Sequence, residues 1–138
     1  MGRDRVNSLL LDTHAWAWSL TGDKRLSGKA VALIEKAENI LVSPISLFEI
    51  GQKVRLGKWP EMEPFIGRLS ELLQDQGGVA AALTPEICLS AAMMDWAHRD
   101  PFDRFLAATA MQNGIPIISA DAIFDELAGN QHWIARFW

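Results

Sequence analysis

The stretch NILVSPISLFEIGQKVRL, residues 39–56, places an apolar segment directly before a helix start signal. The apolar run at 39–42 is typical of a short buried strand. Ser43 and Pro44 then supply an N-cap and a first-turn proline, which predict a helix that continues to about Leu56. A strand that passes straight into a helix is the repeating unit of α/β proteins.

The same alternation continues on both sides of this stretch. Strands are predicted at residues 8–11, 39–42, 79–83, 115–119 and 133–137, and helices at 27–38, 44–56, 61–76, 85–98, 100–113 and 121–127. Because helices separate the strands, we expect the strands to pair in parallel through right-handed crossovers. The sequence therefore predicts a three-layer α/β fold, formed as a single domain over residues 1–138.

The amino-acid composition indicates a protein with a hydrophobic core and without a membrane-spanning segment. The hydrophobic content of 49% and the six tryptophans support a sizeable core, and no apolar run approaches the roughly 20 residues of a membrane helix. The apolar stretch 9–11 behind the basic residues Arg3 and Arg5 is too short for a signal peptide, so we expect a soluble, cytoplasmic protein. The single cysteine, Cys88, is expected to be buried and inert.

The net charge of −4 bears on possible ligands. It argues against a protein that coats nucleic acid through bulk positive charge. It permits an enzyme that holds a few phosphates through a metal ion and local arginines.

Three acidic residues are predicted to lie at one end of the sheet. Asp12 follows the first strand, Asp121 stands two residues after the fourth, and Glu49 lies in the apolar helix that leaves the second. In open α/β sheets the working crevice lies beyond the carboxyl ends of the strands, so a shared site is favoured. Alternatively, Asp12 and Asp121 could each cap a helix, and Glu49 could pair with Lys53 four residues on.

The segment HRDPFDR, residues 98–104, contributes a fourth acid. Asp100 before Pro101 has the form of an N-cap followed by a first-turn proline. Asp103 then falls one turn into the helix, where the helix dipole tolerates an anion. Helix capping alone accounts for Asp100, so Asp103 is the acid that we assign to the predicted site.

Four neighbouring carboxylates repel one another unless a cation is present. A site rich in oxygen ligands, without cysteine or paired histidines, suits Mg²⁺ or Mn²⁺. Such an ion can activate a water molecule and neutralise charge that develops on phosphate oxygens. The predicted reaction class is therefore phosphodiester hydrolysis.

Four segments resemble the PIN-domain nucleases and, among them, the VapC-type toxins of bacterial toxin–antitoxin pairs. The segments are LLLDTHAW (9–16), SPISLFEI (43–50), HRDPFDRFLAATA (98–110) and PIISADAIF (116–124). They occur in the family's order and span almost the whole chain. The third segment is the most specific of the four.

This resemblance implies a parallel five-stranded sheet in the order 3-2-1-4-5 and a metal-dependent endoribonuclease. The family's acidic set corresponds to Asp12, Glu49, Asp103 and Asp121, and Ser119 corresponds to a hydroxyl position beside the site. Family members typically form homodimers. They are held inactive by a small antitoxin whose tail covers the acidic groove.

Other side chains allow more than one interpretation. Arg104 could hold an RNA phosphate or a neighbouring acid, or it could form a surface salt bridge. The basic cluster Lys53, Arg55 and Lys58 has the composition of a solvated face, with phosphate contact as the alternative. Three tryptophans could stack RNA bases, although core packing or contact with a protein partner is favoured. These are Trp16, Trp18 and Trp59.

Two other functions compete with the nuclease. A phosphatase similar to the haloacid dehalogenase group would use Asp12 as a covalent nucleophile, but that chemistry usually needs a second aspartate where residue 14 is histidine. A non-catalytic PIN-like binding module would gain nothing from four mutually repelling acids. The nuclease is therefore preferred to both alternatives.

Overall fold

In a computed structural model that describes residues 7–138, five parallel strands form one sheet in the order β3-β2-β1-β4-β5. The strands are β1 (Ser8–Leu11), β2 (Asn39–Val42), β3 (Val79–Ala80), β4 (Ile117–Ile118) and β5 (Arg136–Phe137). The central strand β1 pairs with β2 on one side and with β4 on the other. The implied strand order is confirmed.

Helices connect the strands. They are α1 (Thr13–Thr21), α2 (Gly28–Lys36), α3 (Pro44–Arg55), α4 (Leu69–Asp75), α5 (Pro85–Met93) and α6 (Pro101–Asn113), together with 3₁₀ helices at Pro60–Arg68 and Ala122–Leu127. The predicted caps form: Ser43 accepts a hydrogen bond from the N–H of Ile45 at 3.1 Å, and Thr84 accepts one from Ile87 at 3.1 Å. Local start signals in the sequence therefore set where α3 and α5 begin.

Several predicted elements are shorter in the structure. The strands expected at 79–83, 115–119 and 133–137 each pair over two residues. The helix expected at 61–76 is divided into a 3₁₀ helix and α4, and Pro64 lies inside the 3₁₀ part. A proline at that position lacks the N–H that a continuous α-helix requires. The helix expected to reach residue 98 ends at Met93.

The core lies on both faces of the sheet. Leu9 and Leu11 pack on one face with Trp16 and Ile50, whereas Leu10 packs on the other face with Leu106. This division follows because successive side chains of a strand point to opposite faces. Helices cover both faces, so the predicted three-layer α/β architecture is confirmed. Trp16 is a fully buried core residue.

The prediction that Cys88 is buried was wrong, because its side chain is exposed. Helix α5 buries Ile87 and Ala91, which lie four residues apart on one helical face, against Ala108 of α6. Cys88 lies one position further on and points away from that face.

None of the helices in residues 7–138 is both long and apolar enough to cross a membrane. Arg3 and Arg5, which entered the prediction on targeting, lie outside the described residues.

Candidate active site

Asp12 occupies the carboxyl end of the central strand. Its backbone N–H donates to the carbonyl oxygen of Ile118 at 3.0 Å, which extends the pairing of β1 with β4 by one residue. Its carboxylate Oδ1 accepts a hydrogen bond from the N–H of Ala15 at 2.7 Å and so caps α1. The capping interpretation is therefore confirmed, and the same side chain remains available to a site at this edge.

Burial raises the pKa of the Asp12 carboxyl from 3.8 to about 6. Hydrogen bonds from the Ser119 side chain and the Ala15 backbone lower that pKa in part, whereas the negative charges of Asp103 and Glu49 raise it further. Burial is the main cause of this shift, and the two acidic neighbours add to it.

Glu49 lies in the second turn of α3 and is 6% exposed. Its Oε2 accepts a hydrogen bond from Lys53 Nζ at 2.7 Å, so the helical ion pair of the alternative interpretation forms. The hydroxyls of Thr13 and Ser46 lie 2.9 Å apart in a buried contact that joins α1 to α3. Glu49 is thereby held on a helix that is fixed beside Asp12.

The two aspartates of HRDPFDR have different partners. Asp100 Oδ1 accepts a hydrogen bond from the N–H of Phe102 at 2.9 Å and caps α6 as expected. Asp103 Oδ2 lies 2.7 Å from His98 Nε2. Burial raises the pKa of Asp103, the hydrogen bond from His98 lowers it, and the charges of Asp100 and Asp121 raise it.

Asp121 lies at the exposed side of the same edge. Its Oδ1 accepts a hydrogen bond from the N–H of Ile123 at 3.0 Å and caps the second 3₁₀ helix, as the alternative interpretation held. Its own N–H donates to Ser119 Oγ at 3.0 Å. Ser119 is fully buried after β4, so its hydroxyl joins the backbone of Asp121 to the side chain of Asp12.

We name the four predicted acids the acidic cluster, although among the described residues no three of them have ligand atoms that all lie within 4.8 Å of one another. Glu49 and Asp103 each raise the pKa of Asp12, and Asp121 raises the pKa of Asp103. Within residues 7–138, acidic and histidine ligand atoms that all lie within 4.8 Å of one another belong to His98, Asp100 and Asp103. His98 was not predicted as a site residue, and its position two residues before the α6 cap was the available signal.

Arg104 binds backbone carbonyls. Its guanidinium donates to the carbonyl oxygens of Ala91, Met94, Trp96 and His98 at 2.6–2.8 Å. Ala91 lies in the last turn of α5, where carbonyls lack helical partners, and the other three carbonyls follow the helix; the N–H groups of arginine serve all four. Arg104 thus holds the segment 94–98, and with it the histidine that contacts Asp103.

The residues of the acidic cluster fit a divalent cation of the Mg²⁺ type. Their ligand atoms are carboxylate oxygens, with the Ser119 hydroxyl beside them, and such hard oxygen donors are those that Mg²⁺ and Mn²⁺ prefer. Besides burial, the negative charges of neighbouring acids raise the pKa values of Asp12 and Asp103. A cation would offset these charges.

Comparison with known proteins yields one family and several relatives. Residues 9–130 match the model of the PIN domain. The chain is 28% identical over 117 residues to Ribonuclease VapC22 of Mycobacterium tuberculosis, which covers 84% of this chain and 88% of the relative.

Two solved structures share the fold. FitAcB from Neisseria gonorrhoeae gives a TM-score of 0.64 at 21% identity and covers 94% of this chain and 96% of that one. VapBC2 from Rickettsia felis, solved bound to a DNA fragment from its promoter, gives a TM-score of 0.64 at 13% identity. The match covers 95% of this chain and 99% of that one. Together with the family match over most of its length, these results show that the chain belongs to the PIN-domain family.

Proposed function

We propose that this chain is a metal-dependent endoribonuclease, acting as the toxin of a bacterial toxin–antitoxin pair, and that it hydrolyses RNA at the acidic cluster. The observation that carries the proposal is the position of buried Asp12 at the carboxyl end of the central strand, where Glu49 and Asp103 add negative charge. Similarity to Ribonuclease VapC22 supports the choice of RNA as substrate. The family match is to the PIN domain, so the haloacid dehalogenase alternative is set aside.

In this proposal the four acids hold the metal ion, and Ser119 positions one of them. Asp12, Asp103, Asp121 and Glu49 would hold Mg²⁺ or Mn²⁺ beside the phosphate that is cleaved. The Ser119 hydroxyl orients the Asp12 carboxylate by hydrogen bonding.

The supporting residues act through these acids. Asp100 fixes the start of α6, and Arg104 fixes the segment that carries His98. When bound, the ion would supply Lewis-acid activation of water and would neutralise charge on the phosphate.

The proposal includes two protein partners, a second copy of the chain and a small antitoxin that covers the acidic groove. Its basis is the resemblance of the four sequence segments to the VapC-type toxins. The site of action would be the bacterial cytoplasm.

Purified protein tests the activity directly. We expect single-stranded RNA to be cut internally when Mn²⁺ or Mg²⁺ is added, cleavage to stop with a chelator, and a phosphomonoester to remain intact. Expression in bacteria should slow growth, and Asp121→Asn should relieve that effect at equal protein level. RNA that stays intact with either ion, or full toxicity of the Asp121 variant, would contradict the proposal.

A further inference from the structure

A cleft of about 290 Å³ lies beside the acidic cluster and is formed from segments that are distant in sequence. It is lined by His14, Trp18, Arg25, Lys53, Lys58, Trp59 and Glu61. In a chain with a net charge of −4, this lining brings three cationic side chains together with one acid. We name it the aromatic cleft.

Three aromatic rings line the cleft. The imidazole of His14 stacks on the indole of Trp59, with ring centroids 4.6 Å apart and an angle of 26° between the planes. Trp18 lies at 5.7 Å from His14 in a tilted arrangement. Trp59 is 9% exposed, whereas His14 is exposed and Trp18 is half-buried. His14 and Trp18 are therefore the rings of the cleft that a ligand can reach.

Cationic groups lie against these rings. The Arg25 guanidinium is 5.0 Å from the Trp18 ring centroid, and Lys53 Nζ is 5.7 Å from that of Trp59. Both distances fall within the range of cation–π contacts. Arg25 also pairs with Asp23, but this pair lies at the surface, where ion pairs exchange at little cost. Lys58 is exposed.

The aromatic cleft adjoins the acidic cluster through two residues. Lys53, which lines the cleft, donates a hydrogen bond to Glu49 at 2.7 Å. His14, which also lines the cleft, lies two residues after Asp12 of the acidic cluster.

We propose that the aromatic cleft binds one nucleotide of single-stranded RNA next to the phosphodiester that is cleaved, with the base stacked on Trp18 and in contact with His14, and the phosphate held by Arg25 and Lys58. The inference rests on the proposed nuclease function. Proteins bind single strands by combining aromatic surfaces for the bases with cations for the backbone, as this cleft does. Its volume lies near the lower end of the range for small-ligand pockets, about 300 Å³. Double-stranded RNA keeps its bases stacked inside and should bind more weakly.

Binding measured without cleavage tests the assignment. We use a fluorescently labelled single-stranded oligoribonucleotide in the presence of a chelator and follow anisotropy. Trp18→Leu should raise the Kd about fivefold to 100-fold, as expected for one lost stacking contact, and Trp18→Phe should recover much of that loss. A thermal melt checks that each variant is folded.

The cationic side of the cleft is tested by the salt dependence of binding. Lys58→Gln should make the slope of log K against log salt less negative by about 0.7, the value for one phosphate contact with a single strand. Arg68→Gln removes an equal charge from an exposed residue outside the cleft and should leave Kd and slope unchanged. Because Lys58 is exposed, its replacement keeps the test valid even if Trp18→Leu fails to fold.

These measurements test RNA binding by the aromatic cleft independently of the proposed nuclease activity. RNA that binds through Trp18 and Lys58 but is never cut would contradict the nuclease function and support the cleft. If the wild-type protein cuts RNA but Trp18→Leu and Lys58→Gln both bind RNA with a Kd within twofold of wild type, the proposed role of the aromatic cleft is wrong. If Trp18→Leu loses a co-expressed antitoxin while RNA binding is intact, the cleft is a protein-docking site and the proposal is wrong.

Discussion

Asp100 and Asp103 lie three residues apart in one helix, yet their surroundings predict different responses to the same substitution. Asp100 accepts the capping hydrogen bond of Phe102, and asparagine caps equally well. Asp100→Asn should therefore keep both stability and RNA cleavage, whereas Asp100→Ala should cost about 1 kcal/mol.

Asp103→Asn should abolish Mn²⁺-dependent cleavage because it removes a negative charge from the acidic cluster. The metal-free protein should be no less stable, since the pKa of Asp103 is raised by burial and by Asp100 and Asp121. Cleavage assays and melting temperatures of the three variants decide between these roles. An inactive Asp100→Asn with an active Asp103→Asn would reverse the assignment.

The pKa of Asp12 predicts a pH-dependent penalty on folding. The folded-state pKa, about 6, lies above the usual 3.8, so the folded protein holds this proton more tightly than the unfolded chain. The contribution of Asp12 to the free energy of unfolding should thus fall as the pH rises from about 4 to 6, by up to about 3 kcal/mol. Asp12→Asn keeps a side chain that can cap α1 but has no carboxyl group to titrate.

Urea denaturation of wild type and Asp12→Asn with a chelator, between pH 4 and 7.5, measures this effect. The stability advantage of the variant should grow across that window and then level off. A difference that is independent of pH would show that the Asp12 carboxyl titrates normally.

At the scale of elements, Arg104 of α6 joins this helix to the end of α5. Its guanidinium binds four carbonyls of residues 91–98 at 2.6–2.8 Å, a geometry that a lysine ammonium does not reproduce. Arg104→Lys should lower the free energy of unfolding by about 2–4 kcal/mol, because carbonyls in a partly buried turn lose their donors.

Arg68→Lys is the matched control. Arg68 pairs with Glu71 on the surface at 3.4 Å, so the same substitution there should change stability by less than about 0.5 kcal/mol. Equal effects of the two substitutions in urea denaturation would argue against a structural role for Arg104.

At the scale of the whole molecule, a divalent ion that binds the folded chain but not the unfolded chain should stabilise the whole fold. Millimolar Mn²⁺ or Mg²⁺ should raise the melting temperature by mass action, and Asp12→Asn should reduce the increment. Asp125→Asn removes an acid that pairs with Arg136 outside the acidic cluster and should leave the increment unchanged. A melting temperature that neither ion alters would count against the metal site.

The sequence by itself determined the alternation of strands and helices and the caps, because these depend on residues within a few positions of one another. Ser43, Thr84 and Asp100 cap the helices that the sequence predicts. The position of Asp12 at a strand end also follows from local pattern. The strand order 3-2-1-4-5 came from the resemblance to a family, and the structure confirms it.

Only the tertiary structure decided which side chains meet across the fold. The contact of His98 with Asp103, the binding of carbonyls by Arg104 and the stacking of His14 on Trp59 join separate segments. The exposure of Cys88 likewise depends on which face of α5 packs against α6. Such contacts arise from the packing of elements against one another, and local periodicity does not encode the angle or the neighbour that packing selects.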